Sequence, residues 1–84
     1  EAAGIAQGFD AATARKLAID TMLGAARLAA SSEESPAVLR ERVTSKGGTT
    51  AEAIRTFEEQ GLDQLVSNAM RAAVQRAEEM ETLF

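Results

Sequence analysis

Eighty-four residues make one small domain at most, and a chain of this length buries a limited core, so its stability gains from a partner chain. Thirteen acidic against nine basic side chains give a net charge of -4, and with neither tryptophan nor tyrosine this excludes the concentrated basic footprint and the stacking platforms of a nucleic-acid binder. No cysteine and no histidine are present, which excludes disulfides, thiolate catalysis, cysteine-ligated zinc and the commonest metal ligand and general base; no metal site is expected.

The hydrophobic 45% leans on alanine, which favours helix and close, shallow helix packing. The first segment, "EAAGIAQG", opens without a methionine or a capping residue, as a helix begun upstream would, and Gly8 is placed to end it in the left-handed conformation. Asp10 then caps a long helix from Ala11 to about Ala30. Leu17, Thr21, Gly24 and Leu28 form one stripe of it, and Ala14, Ala18, Met22, Ala25 and Ala29 the neighbouring one. Gly24 inside this helix points to close approach by another backbone.

"SSEES" ends that helix, and Ser35 with Pro36 supplies the N-cap and first position of a short helix, Pro36 to about Val43, with Val38, Leu39 and Val43 as apolar contacts. Thr49 and Glu52 have capping-box spacing, so the next helix is expected to start at Thr49, to carry Ala53, Ile54 and Phe57 on one face and to end at Gly61. Asp63 is expected to cap the last helix. Leu62, Val66, Ala69, Ala73, Ala77 and Met80 recur there in steps of four and three, widened by Leu65, Met70 and Val74. Strand alternation, repeats and low-complexity runs are absent from the sequence. Arg15, Lys16, Asp20 and Arg27 interrupt the longest apolar windows, so no stretch of about 20 apolar residues exists to span a bilayer; with no signal-like leader, a soluble, cytoplasmic protein without a membrane partner is expected.

One stretch stands apart. "VTSKGGTT", Val43 to Thr50, sets two adjacent glycines among hydroxyl side chains ahead of a helix. The amides of Gly47, Gly48, Thr49 and Thr50 are among those without an intrahelical acceptor, and the positive end of the helix dipole points the same way. The glycines let a ligand approach the backbone, and Ser45, Thr49 and Thr50 offer hydroxyls, so a small carboxylate or phosphate fits there. A plain inter-helix turn with capping threonines accounts for the same residues. It is not a Walker loop: Lys46 precedes the glycines, and the required spacing is missing.

"VTSKGGTTAEAI", Val43 to Ile54, resembles the signature of pyrroline-5-carboxylate reductase, whose usual form is V-T-S-P-G-G-T-T. The resemblance extends over essentially all 84 residues, with "ARKLAIDTMLGAARLAASSEESPAVLRERV" similar to the segment before that motif and "GLDQLVSNAMRAAVQRAEEME" similar to the family's closing helix. The departure is Lys46 in place of proline, which keeps a backbone amide and puts a rigid turn geometry in question. The resemblance implies an all-α fold, a helical bundle in which the long helices interlock with those of a second chain in a homodimer or an oligomer of dimers. It further implies that the chain is the C-terminal domain, 1–84, of a larger reductase whose N-terminal Rossmann domain binds NADPH or NADH and reduces 1-pyrroline-5-carboxylate to proline. The chain's own glycines, at 4, 8, 24, 47, 48 and 61, cannot form G-x-G-x-x-G, so this domain alone is expected to bind no cofactor and to be inactive.

By the same resemblance Ser45, Gly47, Gly48, Thr49 and Thr50 hold the substrate carboxylate, the Thr50 hydroxyl is the catalytic candidate near the ring nitrogen, and Glu33 takes the place of an acidic group near the site. "SSEE" reads equally as a solvated helix end, and Arg40, Arg42 and Lys46 near the loop either attract the anionic substrate or, the commoner role, serve as surface charges that aid solubility. A reading from another class, a helical protein–protein interaction module with no substrate, shares the broad alanine and leucine faces. The glycine and hydroxyl loop separates the two, because a pure bundle has no use for unsatisfied amides facing a pocket.

Overall fold

The computed structural model describes residues 1–83, and every regular element among them is helical. In chain order these are α1 (Ala2–Ala6), α2 (Ala11–Ser31), α3 (Pro36–Val43), α4 (Thr49–Glu59) and α5 (Leu62–Leu83), in agreement with the all-α expectation. They fall into two compact units, Glu1–Val43 and the part from Thr44 onward.

In the first unit α1 ends in a Schellman motif. Gly8 takes a φ of 108°, its amide donates to the Ile5 carbonyl at 3.0 Å, and the Phe9 amide donates to the Gly4 carbonyl at 3.2 Å. This turn folds α1 back on α2. A Cβ on Gly4 would stand 3.2 Å from that of Ala14, which is only 3% exposed, so two small residues set the approach of the two helices. The Asp10 carboxylate caps α2, accepting from the Thr13 amide at 2.9 Å and the Thr13 hydroxyl at 3.0 Å. The Thr13 amide bond, chiefly, lowers the Asp10 pKa. The cap therefore stabilises the helix above the ordinary carboxylate range and is lost as pH falls through Asp10's depressed folded pKa.

α2 terminates where Ser32 turns extended, one residue beyond the expected end. Ser35 then caps α3 as its sequence implies: its hydroxyl accepts from the Val38 amide at 3.3 Å and its carbonyl from the Leu39 amide at 3.0 Å. Leu39, 9% exposed, and Val43 face Ala25, Leu28 and Ala29 of α2 across an apolar cleft of about 220 Å³.

The second unit corrects two expectations. Gly48, not Thr49, is the N-cap of α4, and Glu52 does not reach back as a capping box requires; the Arg55 guanidinium, three residues on, takes its carboxylate and also binds Glu59. Nor does Asp63 cap α5. The helix starts at Leu62, with the Leu65 amide donating to the Gly61 carbonyl at 3.0 Å, and Asp63 lies inside the first turn, where its charge complements the dipole. Gly61 ends α4 as expected, at a φ of 79° with its amide bonded to the Glu58 carbonyl at 3.2 Å. A single glycine thus closes one helix and opens the next, and α4 packs on α5.

Neither unit has the interior of an independent domain. Among the described residues, Ala14 and Leu39 are the only buried ones, and both belong to the first unit. Leu17, Ile19, Met22 and Leu28 of α2 and Leu65, Val66, Met70, Val74 and Met80 of α5 are exposed. A residue in a packed core typically touches six to twelve others, so these stripes lack the neighbours that apolar side chains of this size require. The space a Cβ would take at Gly24 is likewise open within 4 Å, so the close approach expected there is not made within the first unit. Among the described residues no helix is long and apolar enough to cross a membrane.

Candidate functional site

Ser45, Lys46, Gly47 and Gly48 form a tight turn closed by the Gly48 amide, which donates to the Ser45 carbonyl at 3.0 Å. Gly47, third in the turn, has a φ of 75°, the left-handed conformation that a type II turn demands of that residue. Glycine is needed there for backbone freedom alone, because nothing lies within 4 Å of the position a Cβ would take. Lys46 occupies the second position, the one at which proline is favoured, and an ordinary residue is accommodated without loss of the closing bond. The turn geometry that Lys46 put in question is therefore kept. Lys46→Pro is expected to raise stability by about 0.4–1 kcal/mol by narrowing the unfolded ensemble, read as a higher urea midpoint at unchanged slope.

Gly48 then leads into α4 in extended conformation, φ -84° and ψ 178°. Having no side chain, it leaves the first-turn amides of Thr49, Thr50 and Ala51 without a side-chain cap. These amides sit at the positive end of the helix dipole. Glu52, the acidic residue of the first turn, is engaged by Arg55; that hydrogen bond lowers the Glu52 carboxyl pKa and raises that of the guanidinium. Its charge is engaged sideways along α4, away from these amides.

The structure so brings together Ser45, Gly47, Gly48, Thr49 and Thr50 in one turn and the helix start that follows it, within the second unit. It corrects one detail: the Gly48 amide is engaged inside the turn, and Ala51, absent from the candidates drawn from the sequence, contributes an open amide instead. The fixed i to i−4 ladder of a helix starting at Thr49 is the signal that identifies it. Glu33 lies exposed in the α2–α3 connection of the first unit. Its neighbour Glu34 pairs with Arg42 of α3 at 2.7 Å. Among the described residues no cluster of three potential metal ligands occurs. No strand occurs among them either, and the six glycines do not take the G-x-G-x-x-G spacing.

A family model described as "Pyrroline-5-carboxylate reductase dimerisation" matches residues 1–80. The chain belongs to this family. It is 58% identical over its whole length to the pyrroline-5-carboxylate reductase of Vibrio alginolyticus, covering 31% of that protein. It is 46% identical over 95% of its length to the enzyme of Haemophilus influenzae, covering 30% of it, and 49% identical over 93% to that of Pseudomonas aeruginosa, covering 29%. The chain thus spans about three-tenths of the length of these relatives. Membership of a dimerisation family agrees with the exposure of the apolar stripes of α2 and α5 in the single chain.

Proposed function

We propose that this chain is the C-terminal, self-associating and substrate-carboxylate-binding domain of a cytoplasmic pyrroline-5-carboxylate reductase, working with a nicotinamide-binding Rossmann domain that lies outside residues 1–84. The observation that carries the reading is the Ser45–Gly48 turn, which leads into uncapped α4 amides in a chain that matches the family from residue 1 to 80. The substrate of the relatives is an anion, and a carboxylate is the ligand that an uncapped helix N-terminus accepts. In this reading the amides of Thr49, Thr50 and Ala51 and the Ser45 hydroxyl hold the carboxylate, Gly47 and Gly48 shape the turn, and the Thr50 hydroxyl lies toward the ring nitrogen. Glu33 enters only through its position in the family resemblance. The reduction itself, whether by NADPH or NADH, is chemistry of the cofactor and requires the other domain.

Self-association is the second half of the proposal. Two copies related by a two-fold axis would cover the apolar faces of α2 and α5 with the same faces of the partner, as an isologous interface does. Gly24→Leu is expected to weaken association by about 1–3 kcal/mol through overpacking, measured as a raised dimer dissociation constant; unchanged association would place Gly24 outside the interface.

The test of the function is a reductase assay with 1-pyrroline-5-carboxylate. The full-length protein should oxidise a nicotinamide cofactor in step with proline formation, and the 84-residue domain should show no turnover with either cofactor. Turnover by the domain alone would overturn the placement of the chemistry. A full-length protein that forms no proline would favour an interaction module.

A further inference from the structure

The two glycines of the loop are required for different reasons. Gly47 needs its left-handed φ of 75°, whereas Gly48, at φ -84° and ψ 178°, has a backbone that any residue adopts. What forbids a side chain at Gly48 is Ser45. A Cβ there would stand 2.5 Å from the Ser45 hydroxyl oxygen, 3.2 Å from the Ser45 carbonyl oxygen and 3.7 Å from the Ser45 Cβ.

We propose that Gly48 is a positioning residue: its missing side chain is the space in which the Ser45 hydroxyl is held beside the start of α4. The inference rests on the substrate-site reading above and gives Gly48 a role in it other than contact with the substrate, since its own amide already closes the turn. Of the three atoms that a new Cβ would meet, the hydroxyl is the one free to move, by rotation about χ1 to another staggered position. The carbonyl contact is relieved by a shift of a few tenths of an ångström. Gly48→Ala therefore leaves the helix start in place and turns the Ser45 hydroxyl away from it. The two residues act as a unit, and their substitutions should not add.

The experiment is a double-mutant cycle in the full-length reductase, with Ser45→Ala, Gly48→Ala and the double variant each assayed with 1-pyrroline-5-carboxylate. The readouts are kcat/KM toward this substrate and KM toward the nicotinamide cofactor. Ser45→Ala should lose roughly 10-fold or more in kcat/KM, as expected for a hydrogen bond to a charged group. Gly48→Ala should lose a similar factor, and the double variant no more than about twice the loss of Ser45→Ala, with cofactor KM unchanged in all three. A merely structural role for Gly48 would lower the unfolding midpoint and multiply with the serine variant. If the double variant shows the product of the single losses, Gly48 acts independently of Ser45 and the inference fails while the substrate site stands. If Ser45→Ala leaves kcat/KM unchanged, the hydroxyl does not meet substrate, and both the inference and the substrate-site reading of Ser45 fall.

Discussion

Met70→Glu is expected to abolish self-association of the domain and, with it, most of its helical structure at micromolar concentration. Met70 is 65% exposed in the single chain, and on a true surface a substitution of this kind changes stability by no more than about 0.5 kcal/mol. Methionine and glutamate have similar helix propensities, so α5 itself is not weakened. A second copy packed on this face changes the sign of the argument. Each protomer would then carry an uncompensated carboxylate into an apolar interface, at about 3–5 kcal/mol if it is fully enclosed, and the two-fold axis would double the effect. Because the chain has so little interior of its own, dissociation and unfolding are coupled, and circular dichroism should fall together with the sedimentation coefficient. Gln75→Glu, the same charge on the other side of α5, should change neither. Equal behaviour of the two variants would show that the α5 stripe faces solvent in the native protein.

The second large effect is expected at the loop. In the full-length reductase proposed above, Gly48→Val should reduce kcat/KM toward the pyrroline carboxylate by about 100-fold or more, with the cofactor KM within about two-fold of the unsubstituted enzyme. Valine accepts the extended backbone of Gly48, so α4 should still start at Thr49. Its branched side chain displaces the Ser45 hydroxyl as alanine would and adds bulk beside the open amides of Thr49 and Thr50. The first effect alone corresponds to about 1.5–3 kcal/mol for a charged hydrogen bond, and the crowding adds to it. Normal use of the substrate by this variant would reduce the pair of glycines to a simple inter-helix turn.

The parts of the fold legible in the sequence are those set within a few residues. Asp10 over Thr13, Ser35 before Pro36, and the left-handed Gly8 and Gly61 each act on their own turn, and each is found where local chemistry puts it. The capping box at Thr49 and Glu52 failed for an equally local reason. Arg55 offers Glu52 a charged partner three residues on, and Gly48 takes the cap position because the type II turn delivers an extended backbone one residue early. Asp63 lost its place because the link from α4 to α5 is too short for a cap separate from Gly61.

The turn itself was readable as a ligand loop from its glycines and hydroxyls, yet the reason for Gly48 was not. Only the folded turn reveals that the Ser45 hydroxyl oxygen stands 2.5 Å from the place its Cβ would take. The role of Gly24 and the coverage of the α2 and α5 stripes lie one level further out: in the proposed dimer the atoms that decide them belong to a second chain, and only periodicity marks them in this one.

Sedimentation of the 84-residue domain at micromolar concentration tests that last point most directly. The expected result is a helical species of twice the 8.9 kDa chain mass, whose unfolding midpoint rises with concentration as mass action requires of a dimer. A folded, helical monomer with a midpoint independent of concentration would contradict it.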